Sequence, residues 1–277
     1  MTTPVTTPAE PRFRTLEISD PALAPEGLVF VTVKSAALQQ RADLTLFVPR
    51  QAQGLKHLPI LLLLHGVYGS HWAWAFKGGA HRTAQRLMDA GEIPPLALAM
   101  PSDGLWGDGS GYVRHARQDF ERWIVDEVPA AACAAVAACD EHSPLAIAGL
   151  SMGGFAALRL AGRYPQRFAA AAGHSSATEA AHLHALIEEP CHPWAQSAAD
   201  TSVLESLRLA GAASLPPLRF DCGTDDTLLP ANRALHQGME ALGIAHEYAE
   251  HPGGHDWAYW AQHLEDTMRF VAREITP

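Results

Sequence analysis

The sequence predicts an α/β protein: an eight-stranded, mostly parallel sheet with helices on both faces and a small helical insertion near residues 175–214. Three observations carry this expectation. From Leu28 onward, short apolar runs alternate with stretches long enough for a helix. The run Ile60-Leu-Leu-Leu-Leu64 has no polar alternation, as a central strand covered on both faces requires. Finally, 48% of the 277 residues are hydrophobic and only 18% charged, against a usual charged share of about 25%, which is ample for a large core.

Taken in order, residues 1–27 read as an N-terminal arm, its first part rich in proline and threonine, ahead of a single domain over 28–277. The apolar runs that predict strands are Leu28 to Val33, Ala42 to Val48, Ile60 to Leu64, Leu96 to Met100, Leu145 to Leu150, Phe168 to Ala172, Leu218 to Cys222 and Ala245 to Ala249. Helices are expected over Ala80 to Ala90, Val113 to Cys139, Met152 to Arg163, Ala231 to Leu242 and Trp257 to Arg273. In the second of these, Phe120, Ile124, Val128 and Ala131 recur at spacings of four and three, a buried stripe. Pro129 should bend or restart that helix, because proline removes an N–H and clashes with the carbonyl four residues back. The Ala-rich, weakly amphipathic segment from Ser175 to Ser214, with Pro190 and Pro193, interrupts the alternation and reads as a lid or pocket wall over one sheet edge.

Composition also excludes whole classes of function. Thirty acidic residues against twenty basic ones give a formal charge of −10, which would repel a nucleic acid. No apolar run approaches the roughly 18–20 residues of a membrane span, and the N-terminus lacks a basic-then-apolar leader pattern, so no membrane association and a cytoplasmic location are expected. The four cysteines, Cys133, Cys139, Cys191 and Cys222, show neither CxxC nor metal-type spacing and read as buried thiols. A homo-oligomer is left open. Fifteen histidines remain as a feature that composition does not explain.

The chemistry concentrates at the ends of the apolar runs. Leu145-Ala-Ile-Ala-Gly-Leu150 leads directly into Gly149-Leu150-Ser151-Met152-Gly153 and then into a helical stretch. GxSxG between a strand and a helix lifts a serine hydroxyl out of the sheet on a strained turn and aims a helix N-terminus at the reacting oxygen. A phosphate-binding loop is the rival reading, but neither GK[ST] nor GxGxxG is present. After the Ile60 to Leu64 run comes His65-Gly66-Val67-Tyr68-Gly69, so the Val67 N–H could face the Met152 N–H and hold an oxyanion. His65 reads as a side chain that orients this loop, and the bland alternative for the whole stretch is a plain glycine turn.

A serine nucleophile needs a base, and the base an orienting acid. Two carboxylates compete in Gly223-Thr-Asp225-Asp226, and Asp226 is preferred because the Gly223-x-x-Asp226 turn puts it at the loop apex. In His251-Pro-Gly-Gly-His255-Asp256-Trp257, His255 is the base, His251 a structural residue and Asp256 an acid of the first helical turn. The order Ser151, Asp226, His255 matches that of one particular hydrolase architecture.

HGVYG, GLSMGG, CGTDD and PGGHDWAYW together resemble the α/β-hydrolase superfamily, and more narrowly the esterase branch that includes esterase D (S-formylglutathione hydrolase), feruloyl and acetylxylan esterases and tributyrin-type esterases. The similarity spans roughly residues 28–273, with PSDGLWGDGSGY (101–112) and DFERWIVDEVP (119–129) as weaker matches. It implies an α/β-hydrolase fold, Ser151 as nucleophile, Asp226 as acid, His255 as base, and Val67 and Met152 as backbone oxyanion donors. Where esterase D has Ser-Gly at 65–66 and an aromatic at 227–228, this sequence has His-Gly and Thr-Leu, which weakens the case for formylglutathione specificity.

The expected activity is therefore that of a serine carboxylesterase acting on a small-molecule ester through an acyl-enzyme, without cofactor or metal. Pro252 and the glycines forbid the helix that HExxH needs, which argues against a zinc pair of His251 and His255. Trp72, Trp106, Trp257 and His174 are candidate pocket residues, with core or loop packing as the alternative for each. His182, His184 and His192 lie in the insertion, and Asp103 and Asp108 read as turn residues. A thioesterase, an acyltransferase and a non-catalytic binding protein are the rival functions.

Overall fold

The computed structural model describes residues 12–190, 194 and 197–275. Residues 1–11 of the expected arm, and Cys191, His192 and Pro193 of the insertion, lie outside the described residues. Nine strands form one sheet: β1 (Leu16–Ile18), β2 (Leu28–Lys34), β3 (Arg41–Phe47), β4 (Ile60–Leu64), β5 (Ala97–Pro101), β6 (Leu145–Leu150), β7 (Ala170–His174), β8 (Leu218–Gly223) and β9 (Glu247–His251). Their order is β1-β2-β3-β5-β4-β6-β7-β8-β9. The first three pairings are antiparallel and the six strands from β5 to β9 are parallel.

All eight expected strands are present, and the ninth, β1, is the correction. It pairs antiparallel to β2, so the sheet begins at Leu16, inside the segment read as an arm. Three residues on an exposed edge bury too little to leave a legible alternation.

The helices are α1 (Ala73–Phe76), α2 (Ala80–Asp89), α3 (Phe120–Arg122), α4 (Val128–Ala135), α5 (Met152–Arg163), α6 (Ala180–His184), α7 (Ala198–Thr201), α8 (Val203–Ala210), α9 (Leu229–Ala241) and α10 (Trp257–Ile275). Strand β4 shows how they sandwich the sheet. Ile60, Leu62 and Leu64 belong to one core that also holds Val128, Phe155, Leu207 and Met239 of α4, α5, α8 and α9. Leu61 and Leu63 pack on the opposite face with Trp74, Leu87, Leu264 and Met268 of α1, α2 and α10. No residue of β4 is more than 1% exposed, and each such side chain stabilises the fold by roughly 1.5–3 kcal/mol. The unbroken apolar run is thus explained by burial on both faces.

The long helix expected over 113–139 is shorter and interrupted. It starts at Phe120, passes through a wide π turn at Trp123–Glu127 and restarts as α4, with Pro129 in its first turn. The Val125 carbonyl, four residues before Pro129, instead accepts from Arg167 Nε and Nη2 at 3.4 and 3.3 Å. The predicted stripe Phe120, Ile124, Val128 and Ala131 is fully buried.

The insertion supplies α6 to α8. Its longest helix, α8, lies on α5, where Ser206 Oγ donates to the Arg159 carbonyl at 2.8 Å. Arg159, also wholly buried, donates to Glu121 Oε2 at 2.6 Å and to the Tyr112 carbonyl at 2.9 Å. Arg163 joins Glu121 at 2.8 Å to Asp200 at 3.0 Å. Burial alone would raise the Glu121 carboxyl, but the Arg159 charge and the Tyr164 hydroxyl hold it below the ordinary value. Cys139 and Cys222 are buried free thiols, pushed up to about 12 by burial, and Cys133 is half-buried.

Candidate active site

Strand order alone gathers the expected residues. β4 and β6 are parallel neighbours, so the loop at His65 and the turn at Ser151 emerge side by side at the carboxyl edge of the sheet. β8 and β9 are neighbours too, and their ends deliver Asp226 and His255 to the same edge, where open α/β sheets bind ligands.

Ser151 sits between β6 and α5 with φ 53° and ψ −115°, a backbone conformation that side-chain-bearing residues rarely adopt. Three hydrogen bonds hold it. Its N–H donates to the His174 carbonyl at 2.9 Å, and its carbonyl accepts from Phe155 at 3.0 Å and Ala177 at 3.2 Å. The turn also demands a glycine at 153, because a Cβ there would stand 2.3 Å from the Leu64 carbonyl oxygen. With no side chain at 153, the first turn of α5 abuts the end of β4.

His255 Nε2 lies 3.1 Å from Ser151 Oγ, and its Nδ1 lies 2.8 Å from Asp226 Oδ2. An ionised Asp226 only accepts, so Nδ1 carries the ring proton and Nε2 presents its lone pair to the serine. Asp226 is buried, whereas Asp225 is exposed. Burial by itself would raise the Asp226 carboxyl. Hydrogen bonds from His255 and from the Leu228 N–H at 2.8 Å instead hold it below the ordinary carboxylate range.

The two loops that carry this pair are bound to each other: Thr224 N–H donates to the His251 carbonyl at 2.8 Å and Asp225 N–H to the Gly253 carbonyl at 2.9 Å. Their approach requires Gly223, where a Cβ would lie 2.2 Å from the Gly253 oxygen. Asp256 does act in the first helical turn, accepting the Tyr259 N–H at 3.0 Å.

On the other side of the serine, a Cβ at Gly66 would come within 3.1 Å of Ser151 Cβ, so the Val67 N–H is adjacent to the serine side chain. Among the described residues, neither the Val67 nor the Met152 N–H has a protein acceptor. His65 is the loop-orienting side chain expected: buried, it donates from Nδ1 to the Gly66 carbonyl at 2.7 Å and accepts the Asp103 N–H at Nε2, 3.1 Å away.

A hydroxyl, an imidazole and a carboxylate joined in series, beside two free backbone donors, can attack an acyl carbonyl and hold the oxyanion that results. The family model described as "Putative esterase" matches residues 35–271 of this chain. The chain belongs to that esterase family. It is 24% identical over 236 residues to the acetyl esterase of Caldicellulosiruptor saccharolyticus, covering 79% of this chain and 85% of that protein. Among solved structures, a ferulic acid esterase superposes with a TM-score of 0.76 and 27% identity, over 90% of this chain and 98% of that one. An S-formylglutathione hydrolase from Agrobacterium tumefaciens shares the fold with a TM-score of 0.75 at 18% identity, over 95% and 99% of the two chains. The esterase is thus a carboxylic ester hydrolase of the serine hydrolase type, on an α/β-hydrolase fold.

The expected pocket residues fare unevenly. His174 is corrected: it is 0% exposed, and its ring bonds Asp221 Oδ1 and Thr267 Oγ1, each at 3.0 Å. Only its backbone serves the site, through Ser151. Its ring is turned away into a buried polar set, where it joins Arg219 and Tyr259 in satisfying the buried Asp221 carboxylate on the neighbouring strand. Trp257 packs edge-to-face against Trp74 and Trp260 at 5.5 and 5.4 Å, which makes it a packing residue between α1 and α10. Trp106 stacks edge-on to His115 at 4.6 Å, and burial holds that histidine down at about 4, so it packs as a neutral ring. Trp72 is 42% exposed on the loop after β4.

Sequence reasoning passed over two residues of the esterase that shape the site, Trp260 and Tyr68. Trp260 meets the His255 ring edge-to-face at 5.0 Å and 88°. It stands within PGGHDWAYW, and its place five residues after His255 on α10 was the available signal. Tyr68 donates from its hydroxyl to the Leu186 carbonyl and from its N–H to the Asp108 carbonyl at 2.9 Å. Asp108, read as a turn residue, also accepts the Glu188 N–H at 3.0 Å, tying the insertion to the loops beside Ser151. Asp103 does organise its turn, accepting the N–H groups of Leu105 and Ser110. Among the described residues, no helix is long and apolar enough to cross a membrane.

Proposed function

We propose that the esterase hydrolyses small, neutral carboxylic esters through an acyl-enzyme, with Ser151 as nucleophile, His255 as general base and Asp226 as the acid that orients it. The observation that carries this reading is the hydrogen-bonded series Ser151–His255–Asp226 at three strand ends, with the serine on a strained turn. In the first half-reaction, His255 Nε2 takes the hydroxyl proton as Ser151 Oγ attacks the carbonyl. Asp226 stabilises the imidazolium, and the N–H groups of Val67 and Met152 stabilise the oxyanion. Each such donor contributes about 10²- to 10³-fold in rate. The proton then passes to the leaving alcohol, and water activated by the same imidazole releases the acid. No step of this sequence calls for a cofactor.

Three features support a neutral ester. The chain carries a formal charge of −10, which disfavours anionic substrates. Glu188, Glu189 and Asp108 lie where the insertion meets the loops beside the serine. The acetyl esterase and ferulic acid esterase relatives are named for acyl esters.

Labelling with a serine-reactive fluorophosphonate tests the mechanism: wild type takes up one equivalent, and Ser151→Ala takes up none. Equal labelling of the two proteins, or none of either, overturns it. An acyl-chain series of p-nitrophenyl esters, run beside a matched thioester, tests the substrate class. A higher kcat/KM on the thioester would replace the carboxylesterase reading with a thioesterase one.

A further inference from the structure

Away from the serine, β9 ends at His251, and α10 carries His263 in its second turn and Asp266 three residues later. We propose that His251, His263 and Asp266 form a site for one divalent transition-metal ion, with Zn²⁺ as the cation that suits the donor set best.

The three side chains already lie close together. One nitrogen from each imidazole and one Asp266 oxygen lie within 4.8 Å of one another. The two rings are stacked, with centroids 4.2 Å apart and planes 11° from parallel. His263 and Asp266 share a helix face at i, i+3, with Nδ1 3.5 Å from the carboxylate.

Two buried atoms are unexplained otherwise. Nε2 of His251 and Nε2 of His263 are both shielded from solvent and find no hydrogen-bond partner among the described residues. His263 as a whole is 6% exposed. Buried polar atoms are nearly always satisfied, so two in one stacked pair point to a ligand that supplies the missing contacts.

The donor chemistry is that of zinc: two neutral imidazoles and a carboxylate, with a fourth position for water. Bonds of roughly 2.0–2.2 Å put tetrahedral donors about 3.4 Å apart, so the widest pair must close by about 1.4 Å. Convergence requires both rings to turn about Cβ–Cγ, which breaks no bond at either Nε2, and the 46% exposed Asp266 carboxylate to leave its contacts with His263 at 3.5 Å and Arg269 at 3.6 Å. This set differs from the His251–His255 pair that the sequence argued against, since His263 and Asp266 come from α10 and no helix at 251–255 is needed.

A bound ion would clamp the end of β9 to α10, on either side of the loop 252–256 that presents His255. The site is separate from the hydrogen-bonded series at Ser151 and does not depend on its catalytic reading.

The test uses the full-length protein stripped with EDTA and then equilibrated with ZnCl₂. Wild type should retain one equivalent of zinc through gel filtration, and Tm should rise by about 5 °C at a hundredfold excess over Kd. Co²⁺ in place of zinc should give the visible absorption of a tetrahedral site. Asp266→Asn, at an exposed position, and His263→Gln should each lose the equivalent and the Tm rise. His236 Nδ1 lies 2.8 Å from His246 Nε2, so His255→Ala and His236→Gln should keep both, which excludes the imidazole beside Ser151 and this second histidine pair as the ligands. The proposal is overturned if wild type retains no zinc, or if Asp266→Asn and His263→Gln retain it as wild type does.

Discussion

Replacing Asp226 by asparagine removes one negative charge and swaps one oxygen for an NH₂, and the structure dictates which way the amide must face. Asp226 Oδ1 accepts the Leu228 N–H at 2.8 Å while Oδ2 faces His255 Nδ1 at 2.8 Å. An asparagine has a single acceptor oxygen, and the backbone N–H of Leu228 can only donate, so the amide turns its NH₂ toward the imidazole. Nδ1 must then accept, and the ring proton moves to Nε2, 3.1 Å from Ser151 Oγ. There it blocks proton abstraction from the serine. The expected loss is about 10⁴-fold in kcat, or about 5.4 kcal/mol of transition-state stabilisation at roughly 1.36 kcal/mol per decade. Asp225→Asn alters an exposed neighbour, and a surface change of up to about 0.5 kcal/mol corresponds to little more than a twofold effect. Steady-state kinetics on p-nitrophenyl acetate, with circular dichroism and Tm confirming that both variants fold, give the comparison. If Asp226→Asn stays within tenfold of wild type, or if Asp225→Asn suffers the larger loss, the tautomer argument fails.

Three further outcomes are expected. Gly153→Ala places a methyl group 2.3 Å from the Leu64 carbonyl oxygen, a backbone atom inside the sheet. It should force α5 and Ser151 away from the Val67 N–H and reduce kcat at least 100-fold, on the scale of losing one oxyanion donor at about 10²; near-normal kcat would show that the turn tolerates a side chain. His65→Ala leaves the Asp103 N–H without its partner, at about 1–3 kcal/mol, and the Gly66 carbonyl with only the Gly69 N–H at 3.2 Å. A urea midpoint shifted by less than the equivalent of 1 kcal/mol would mean that His65 does not brace the loop. Glu121, Asp221 and Asp226 all have carboxyl groups held below the ordinary value: burial opposes this in each, and Arg159, His174 with Arg219, and His255 respectively outweigh it. A depressed carboxylate contributes stability above its unfolded value, about 4, and loses that contribution as pH falls through the folded one. The urea midpoint should therefore hold from pH 7 to about 5 and fall steeply below about 4. Glu121→Gln should flatten that fall and cost roughly 3–5 kcal/mol at pH 7 by leaving Arg159 buried without its nearest charge; an unchanged acid slope would place the linkage elsewhere.

Much of the fold and of the candidate site was legible because the relevant signals are local. Most of the strands declare themselves as apolar runs, since all but the edge strands β1 and β9 bury most of their residues. Pro129 announces the break before α4, because its ring acts on the carbonyl four residues back wherever the helix lies. Ser151 and His65 follow apolar runs directly, His255 stands six residues after one, and all three have small-residue turns beside them. The edge strand Leu16–Ile18 escaped because three residues pairing on one side need no pattern of their own.

What only the tertiary structure decided depends on distances between segments far apart in the chain. Composition could not separate Asp225 from Asp226, adjacent residues of the same type, and the turn motif at Gly223 gave only a preference for Asp226. The choice follows from the turn at Gly223 and the packing of the HPGGH loop against it, which bury one carboxylate beside His255 and leave the other in water. The same reason turned the His174 ring from a pocket candidate into a partner of Asp221 on the next strand, and brought Trp260 against His255. It also stacked His251 on His263 across the gap between β9 and α10. Periodicity and turn chemistry operate over a few residues, so the sequence by itself determined the α/β class, the parallel order of strand and helix, and the serine and histidine of the site. Burial and pairing between strands are properties of the packed chain, and they decided which carboxylate is buried, which way the His174 ring turns and which nitrogens are left orphaned.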